Sequence, residues 1–200
     1  MNQPLIGIDE VGRGCLAGPV YAAAVIFKSE TDIKYYQDSK KLSADERVTL
    51  SLSIKTHHTY SIGIATVEEI DQLNILQASF LAMRRALHAV DGLEKTATVL
   101  VDGRDKIPNL GDYEQLPIIQ GDSKVRLIGA ASIVAKVARD LFMTELATQF
   151  GNYGFEKHKG YGTNAHRQQI QKHGPTVWHR QTFSGVKEHI RSFKSIHSEF

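Results

Sequence analysis

Short apolar runs separated by polar turns recur along the first 120 residues of the chain. Residues 4–9 and 19–27 are apolar runs of strand length, and residues 58–66 alternate apolar with polar positions as a half-buried strand does. Residues 97–101 and 116–119 are two further short runs. We therefore predict five β-strands, of which the first two are joined by a glycine-rich loop.

Longer segments have the three- and four-residue apolar spacing of helices. The strongest is 125–149, where small residues such as Gly129 and Ala130 would let a helix approach a sheet closely. Ser43 and Thr66 stand at expected N-cap positions. The predicted helices span residues 42–54, 67–74, 75–90 and 125–149, with short helices near 164–173 and 186–193. Strands that come first and then alternate with helices indicate an α/β fold, a mixed sheet flanked by helices with a small helical C-terminal region.

The length of 200 residues fits one domain, which we divide into a core of about residues 1–150 and a helical region of about 151–200. The 42% hydrophobic and 23% charged residues are typical of soluble globular proteins. No apolar run approaches the roughly 18 residues of a membrane span, and the N-terminus does not resemble a signal peptide. The single cysteine, Cys15, cannot form an internal disulfide, so we expect a cytoplasmic protein.

The charge is divided unevenly along the chain. Residues 1–145 carry 16 Lys and Arg against 19 Asp and Glu, a net of −3, whereas residues 146–200 carry 8 against 3, a net of +5. Six of the nine histidines also lie in the second segment. A basic tail on an acidic body is expected of a nucleic-acid-binding protein with an acidic metal site, although a solvated surface with segregated charges would give the same division.

Four acids follow predicted strands. Asp9 and Glu10 come after the first strand, Asp102 after the fourth, and Asp122 after the fifth. Strand ends at one edge of an α/β sheet are where ligand sites are usually built, so these carboxylates could share a pocket. Oxygen ligands without Cys or His select Mg²⁺ or Mn²⁺, and a pair of such ions is the usual device for phosphodiester cleavage.

Each acid also has an ordinary structural explanation. Asp102 with Gly103 could form a tight turn, and Asp122 could cap the long helix that follows. Asp9 and Glu10 point to opposite faces of a regular strand, so we expect a break at the strand end if both serve one site. On composition alone, other acids could take the place of any of them: Asp105, Asp112 and Asp140.

The glycine loop, residues 12–19, matches the G-x-G-x-x-G/A pattern of dinucleotide-binding proteins. The pattern requires a helix after the loop, but a second strand follows, and the preceding acids would repel a pyrophosphate. A nucleotide-cofactor oxidoreductase is therefore disfavoured. Alternatively, Gly12 and Gly14 let the backbone approach a sugar and test its 2′-hydroxyl, while Arg13 supplies a cation. A glycine-rich connection shaped only by chain geometry also remains open.

The C-terminal region contains a basic loop with one aromatic residue. Tyr161 lies between two glycines, beside Lys157, His158 and Lys159, which suits stacking on a sugar or base. An exposed turn tyrosine is the alternative. The histidines of this region suggest a zinc site, but they have neither Cys partners nor a recognised ligand spacing, which makes zinc improbable: His158, His166, His173 and His179.

Taken together, these segments resemble the bacterial ribonuclease HII family over nearly the whole chain. The matching segments, in order, are residues 7–20, 38–42, 100–103, 121–122, 128–140 and 158–163. The resemblance implies a ribonuclease-H-like fold and an endonuclease that cuts on the 5′ side of ribonucleotides in RNA–DNA hybrids or embedded in duplex DNA. It implies 3′-hydroxyl and 5′-phosphate ends and Mg²⁺ or Mn²⁺ as cofactor. Separately, we expect a monomer without membrane association. An inactive hybrid-binding module is the alternative.

The resemblance also assigns individual residues. The four acids, Asp9, Glu10, Asp102 and Asp122, correspond to the metal ligands of the family. The remaining residues correspond to its substrate contacts: Gly12, Arg13 and Gly14 to the ribose-sensing loop, Tyr161 to the sugar-stacking tyrosine, and Lys40 to a phosphate-contacting lysine. The chain departs from the family at Gly185, where a proline is common, and it begins its first strand without the N-terminal extension expected of the related ribonuclease HIII.

Overall fold

Five strands form one sheet in the computed structural model, which describes residues 4–28, 36, 42–94 and 96–190. The strands are β1 (Leu5–Val11), β2 (Val20–Ile26), β3 (Thr59–Ala65), β4 (Thr98–Asp102) and β5 (Glu114–Ile118). Their order across the sheet is β3-β2-β1-β4-β5. β1 is antiparallel to β2 and parallel to β4, and β4 is parallel to β5. The sheet is therefore mixed, as predicted, with β1 at its centre.

Several of the helices begin directly after a side chain that caps them. They are α1 (Ala44–His57), α2 (Val67–Leu73), α3 (Ile75–His88), α4 (Gly121–Lys124), α5 (Arg126–Gln149), α6 (Phe155–His158) and α7 (Asn164–His173). Ser43 with Glu46, and Thr66 with Glu69, form capping boxes in which side chain and backbone satisfy each other. Residues 187–190 are also helical, and the predicted continuation to residue 193 lies outside the described residues.

The chain divides into two compact units, each with its own core. The first unit takes residues 1–11, 21–64 and 79–138, and the second takes residues 12–20, 65–78 and 139–200. No helix in the described part of the chain has the length and apolarity needed to cross a membrane.

The core of the first unit packs the N-terminal half of α5 against the sheet. Ala131 and Val134 of α5 are fully buried in one cluster with Ala23 and Val25 of β2. Gly7 on β1 allows a close approach, because a Cβ there would overlap the backbone of Leu127. The small residues of 125–149 thus serve the purpose that the sequence predicts, and they hold α5 directly against β1.

The core of the second unit is more aromatic. Tyr153 and Phe155 stack with their ring centroids 5.5 Å apart, in a cluster with Leu16, Met143 and Ile170. Leu16 belongs to the glycine loop, so the loop contributes an apolar side chain to this core. Its path is therefore fixed by burial as well as by hydrogen bonds.

Candidate active site

Asp9 and Glu10 lie within β1 rather than beyond its end. Asp9 pairs with Ala23, and Glu10 pairs with Ala22, in a regular antiparallel register that continues to Val11. The expected break in the strand is therefore wrong, because hydrogen bonding to β2 carries β1 past both acids. Asp9 is buried, and Glu10 is half-buried. A regular strand directs the two side chains to opposite faces of the sheet, yet the charge of Glu10 is close enough to raise the pKa of Asp9, and the Glu10 N–H donates to Asp9 Oδ1 at 2.7 Å.

Asp102 ends β4, the parallel neighbour of β1. The pair Ile8–Val101 immediately precedes Asp9 and Asp102 in the register, so the two acids leave adjacent strands at the same level. The Gly121 N–H donates to Asp102 Oδ1 at 2.6 Å, and the Asp122 N–H donates to it at 3.3 Å. Within the described part of the chain, no hydrogen bond reaches the other carboxylate oxygen, Oδ2. The turn after β5 thus orients Asp102 through one oxygen.

Asp122 is a buried residue of α4, and it directly follows Gly121, whose N–H donates to Asp102. It does not cap the long helix, because α5 begins only at Arg126 and the N-cap of α4 is Gln120. Gly103 follows Asp102 with φ +111°, and its N–H donates to Ile118 O at 3.0 Å. The hydrogen bond from Gly103 therefore continues the pairing of β4 with β5 past Asp102, and the chain bends there.

Electrostatics identify this region as unfavourable for negative charge. Burial raises the pKa of Asp9 well above its usual value, and the charges of Glu10 and then Asp102 raise it further. Hydrogen bonds from the Ser132 side chain and the Glu10 amide lower the pKa and offset part of this effect. Three acids therefore repel one another at a buried position, a situation that a cation would relieve.

The donor set fits a hard divalent cation, because it consists of carboxylate oxygens alone. The acids do not form a closed ligand set: among residues 4–28, 36, 42–94 and 96–190, no three His, Cys, Asp or Glu side chains are arranged as a complete metal-binding group. The structure thus brings Asp9, Glu10 and Asp102 into electrostatic range and places the backbone of Asp122 against Asp102. Coordination by all four acids stays a prediction.

The glycine loop belongs to the second unit, and its glycines have different local requirements. Gly12 has φ +97°, and a Cβ there would overlap the Arg139 side chain, so both conformation and packing require glycine. Gly14 is exposed, and no atom of the described residues lies within 4 Å of the position that a Cβ would take. Arg13, between them, is also exposed. The loop therefore presents open backbone at Gly14.

Tyr161 is held against the same loop by its backbone. It forms an isolated antiparallel bridge with Cys15, and the neighbouring Gly160 O accepts the Leu16 N–H at 2.8 Å. The buried thiol of Cys15 donates to Lys159 O at 3.7 Å. Tyr161 itself is 41% exposed, and partial burial is the main reason why its pKa is raised. Its backbone is therefore fixed against the loop, while part of the residue is open to solvent.

Comparison with known proteins decides the family. The family model described as Ribonuclease HII matches residues 6–186. A curated ribonuclease HII from Pelagibacter ubique is 47% identical over 92% of this chain and 97% of its own length, and that from Fusobacterium nucleatum is 52% identical over 90% and 85%. The chain belongs to the ribonuclease HII family. As a ribonuclease HII, it is a metal-dependent endonuclease that acts on RNA–DNA hybrids and embedded ribonucleotides.

Solved structures show the same fold. The ribonuclease H2 from Pyrococcus horikoshii OT3 matches with a TM-score of 0.78 and 22% identity, covering 96% of this chain and 99% of that chain. A structure of Bst-RNase HIII in complex with Mn²⁺ matches with a TM-score of 0.69 and 17% identity, covering 96% and 71%. The predicted ribonuclease-H-like fold is therefore confirmed for this ribonuclease HII.

Two arginines beside the glycine loop were missed as site residues by sequence reasoning. Arg139 and Arg180 are both fully buried, and their guanidinium groups donate to backbone carbonyls of the loop. A signal for Arg139 was present, because it occupies a buried helical stripe between Ala135 and Met143, where an arginine is out of place. Arg180 lies in an irregular segment of this ribonuclease HII and had no such signal.

The histidines form a buried hydrogen-bonded group. His166 Nδ1–H donates to Tyr161 O at 2.9 Å, His179 Nε2–H donates to His166 Nε2 at 3.1 Å, and His179 Nδ1 accepts the Thr176 N–H at 2.9 Å. Burial is the main cause that lowers the pKa of His166 to about 4 and that of His179 to about 3. Both rings are neutral at pH 7, and all four of their nitrogens take part in these hydrogen bonds.

Two further expectations concern Lys40 and Gly185. Lys40 lies outside the described residues, so its contact with phosphate stays a prediction. At the family departure, Gly185 has φ +93°, a conformation that proline cannot adopt. Glycine thus gives this turn a backbone shape that the proline of other members would exclude.

Proposed function

We propose that Asp9, Glu10, Asp102 and Asp122 hold two divalent ions, Mg²⁺ or Mn²⁺, for cleavage on the 5′ side of a ribonucleotide, leaving 3′-hydroxyl and 5′-phosphate ends. The observation that carries this proposal is the raised pKa of buried Asp9, caused by burial and by the charges of Glu10 and Asp102. When bound, divalent ions supply Lewis-acid stabilisation of the attacking and leaving oxygens of a phosphodiester.

The protein groups around the acids set their orientation. The amides of Gly121 and Asp122 engage one oxygen of Asp102, which leaves Oδ2 for a ligand within the described part of the chain. Asp9 is fixed by its place in the central strand, because β2 and β4 flank β1 on both sides. A rigid strand and a buried turn are the supports that a preorganised ligand set needs.

We further propose that the glycine loop and Tyr161 select the ribonucleotide. Gly14 offers an open backbone position that a sugar can approach closely, where a 2′-hydroxyl would distinguish RNA from DNA. The partly exposed ring of Tyr161 would stack on the neighbouring sugar. Lys40 and the basic C-terminal region would contact phosphates, so binding should weaken as the salt concentration rises. The protein would act as a monomer in the cytoplasm, where its cysteine stays reduced.

The test uses a labelled DNA duplex with one ribonucleotide, a long RNA–DNA hybrid, and an all-DNA duplex of the same sequence. With Mn²⁺ or Mg²⁺, we expect a single cut on the 5′ side of the ribonucleotide, a product end that a polymerase extends, no cutting of the all-DNA duplex, and no cutting in EDTA. Tight binding of the hybrid without metal-dependent turnover would instead favour an inactive binding module.

A further inference from the structure

Arg180 joins the two ends of the glycine loop. Its Nη2 donates to Gly12 O at 2.6 Å and to Gly18 O at 2.8 Å, its Nη1 donates to Arg13 O at 2.8 Å, and its Nε donates to Gly18 O at 3.0 Å. The side chain is fully buried in the second unit. One guanidinium therefore gathers three carbonyls from residues that lie up to six positions apart in the chain.

Arg139 extends the same arrangement to the segment that carries Tyr161. Its Nε donates to Pro19 O at 2.9 Å, its Nη2 to Ala17 O at 3.0 Å, and its Nη1 to Lys159 O at 2.8 Å. Within the described part of the chain, the hydrogen bonds of both guanidinium groups go to backbone carbonyls and to no carboxylate. The two groups of the proposed ribose reader, the loop and Tyr161, are thus tied to one pair of buried cations.

A gain in folding stability alone does not explain why Arg139 and Arg180 are buried. Burying a guanidinium without a paired carboxylate carries a desolvation cost, and apolar residues of similar volume often stabilise a core as well or better. Burial lowers the pKa of Arg180 to about 10, so the group remains protonated at neutral pH. Unlike an apolar side chain, a guanidinium group has several N–H donors in a fixed planar geometry, so it can fix the direction of several carbonyls at once.

Carbonyl direction determines what the loop presents to a substrate. In a planar trans peptide, the carbonyl of one residue and the N–H of the next point in opposite directions. Because Arg13 O points into the protein toward Arg180, the Gly14 N–H points the opposite way, at the position where Gly14 is exposed and open. The buried guanidinium therefore aims a backbone donor outward.

We propose that Arg180 is a positioning residue for ribose selection: by holding the carbonyls of Gly12 and Arg13, it orients the Gly14 N–H toward the 2′-hydroxyl of the ribonucleotide. This inference rests on the proposed function of the loop. Asp71 supports the arrangement from the opposite side, because its carboxylate accepts the Gln181 N–H at 2.9 Å and the Thr182 N–H at 3.0 Å, directly after Arg180.

The principal variant is Arg180→Lys, which keeps the charge and removes the fork. Two readouts are compared in the metal-loaded enzyme: kcat/KM for a duplex with one ribonucleotide, and Kd for the uncut all-DNA duplex of the same sequence. We expect kcat/KM to fall about tenfold, since an ammonium group cannot keep all four hydrogen bonds, while Kd for all-DNA changes less than about twofold. The matched control, Ile170→Val, trims the core of the same unit and should lower Tm without lowering kcat/KM.

A second variant covers the case in which Arg180→Lys does not fold. Asp71→Asn replaces the acceptor of the Gln181 N–H by an NH₂ group on a half-buried side chain, so it should weaken the positioning of Arg180. We expect kcat/KM for the ribonucleotide duplex to fall about threefold and Kd for the all-DNA duplex to stay unchanged. Unchanged kcat/KM in every folded variant would overturn the inference, as would a parallel loss of kcat/KM and all-DNA affinity. If the wild-type protein cuts all-DNA as readily as the ribonucleotide duplex, the proposed function itself fails, whatever Arg180→Lys does.

Discussion

Replacing Asp102 by asparagine separates two roles that the structure gives to this side chain. Asp102 Oδ1 accepts the amides of Gly121 and Asp122, whereas the negative charge of Asp102 raises the pKa of Asp9. Asparagine keeps an acceptor oxygen in place and removes the charge. Alanine removes both, so Asp102→Ala is the matched control.

The two variants should differ in stability without metal. The repulsion between two carboxylates falls from about 4 kcal/mol at 4 Å to about 2 kcal/mol at 8 Å for an effective dielectric near 20. Since the raised pKa of Asp9 already relieves part of this repulsion, we expect Asp102→Asn to stabilise the metal-free protein by about 1 kcal/mol. Asp102→Ala removes the same charge but also leaves the Gly121 N–H without its acceptor, so it should be about 1–3 kcal/mol less stable than Asp102→Asn.

The assay pairs thermal unfolding in EDTA with cleavage in Mn²⁺. A difference of about 1–3 kcal/mol between the two variants corresponds to roughly 2–12 °C in Tm for a chain of this size, with the asparagine variant the more stable. Both variants should lose cleavage more than about a hundredfold, because losing a ligand exceeds the effect of losing its supporting partners. If Asp102→Asn is less stable than the wild type in EDTA, the repulsion is absent, and if it still cuts, Asp102 is not a metal ligand.

Three further outcomes follow from the second unit. The pKa values of His166 and His179 lie below the unfolded value near 6.5, so the unfolded chain binds more protons in acid, and stability should fall as the pH drops from 7 toward 4. We expect a loss of up to about 2 kcal/mol for each histidine between pH 8 and pH 5, measured by urea unfolding, and a flat profile would contradict it. Gly12→Ala should lower stability by more than about 2 kcal/mol, because its φ is positive and its Cβ overlaps a buried guanidinium, whereas Gly14→Ala should leave Tm unchanged and lower only cleavage. If the ring of Tyr161 stacks on the substrate, Tyr161→Phe should keep most of kcat/KM, whereas Tyr161→Ala should reduce it about tenfold or more. Equal kcat/KM values for the two variants would argue against stacking.

Local patterns were sufficient to predict most of the architecture. The alternation of residues 58–66 and the long periodic segment of 125–149 correspond to β3 and α5, and Ser43 and Thr66 cap helices as predicted. These features depend on residues a few positions apart, where capping and amphipathic spacing act directly. Sequence is informative here because the interacting groups are neighbours along the chain.

Contacts across the chain were harder to predict. The strand break expected at Asp9 is absent because β2 pairs with β1 as far as Val11, a tertiary effect that the local sequence does not encode. The bonds from Arg180 to Gly12 and Gly18 span more than 160 positions, and no periodicity relates a buried guanidinium to distant carbonyls. The acids were chosen by type, since carboxylate oxygens suit a hard cation, and their role as metal ligands stays a prediction.

The single thiol of this protein, that of Cys15, can be used to measure motion of the glycine loop. Cys15 is fully buried, sits inside the loop proposed to sense ribose, and is bridged to Tyr161. A thiol-reactive dye can reach its sulfur only while that loop detaches, so the labelling rate under native conditions counts detachment events without any engineered probe. Bound duplex that engages the loop should slow the dye, which would reveal docking before a single phosphodiester is broken.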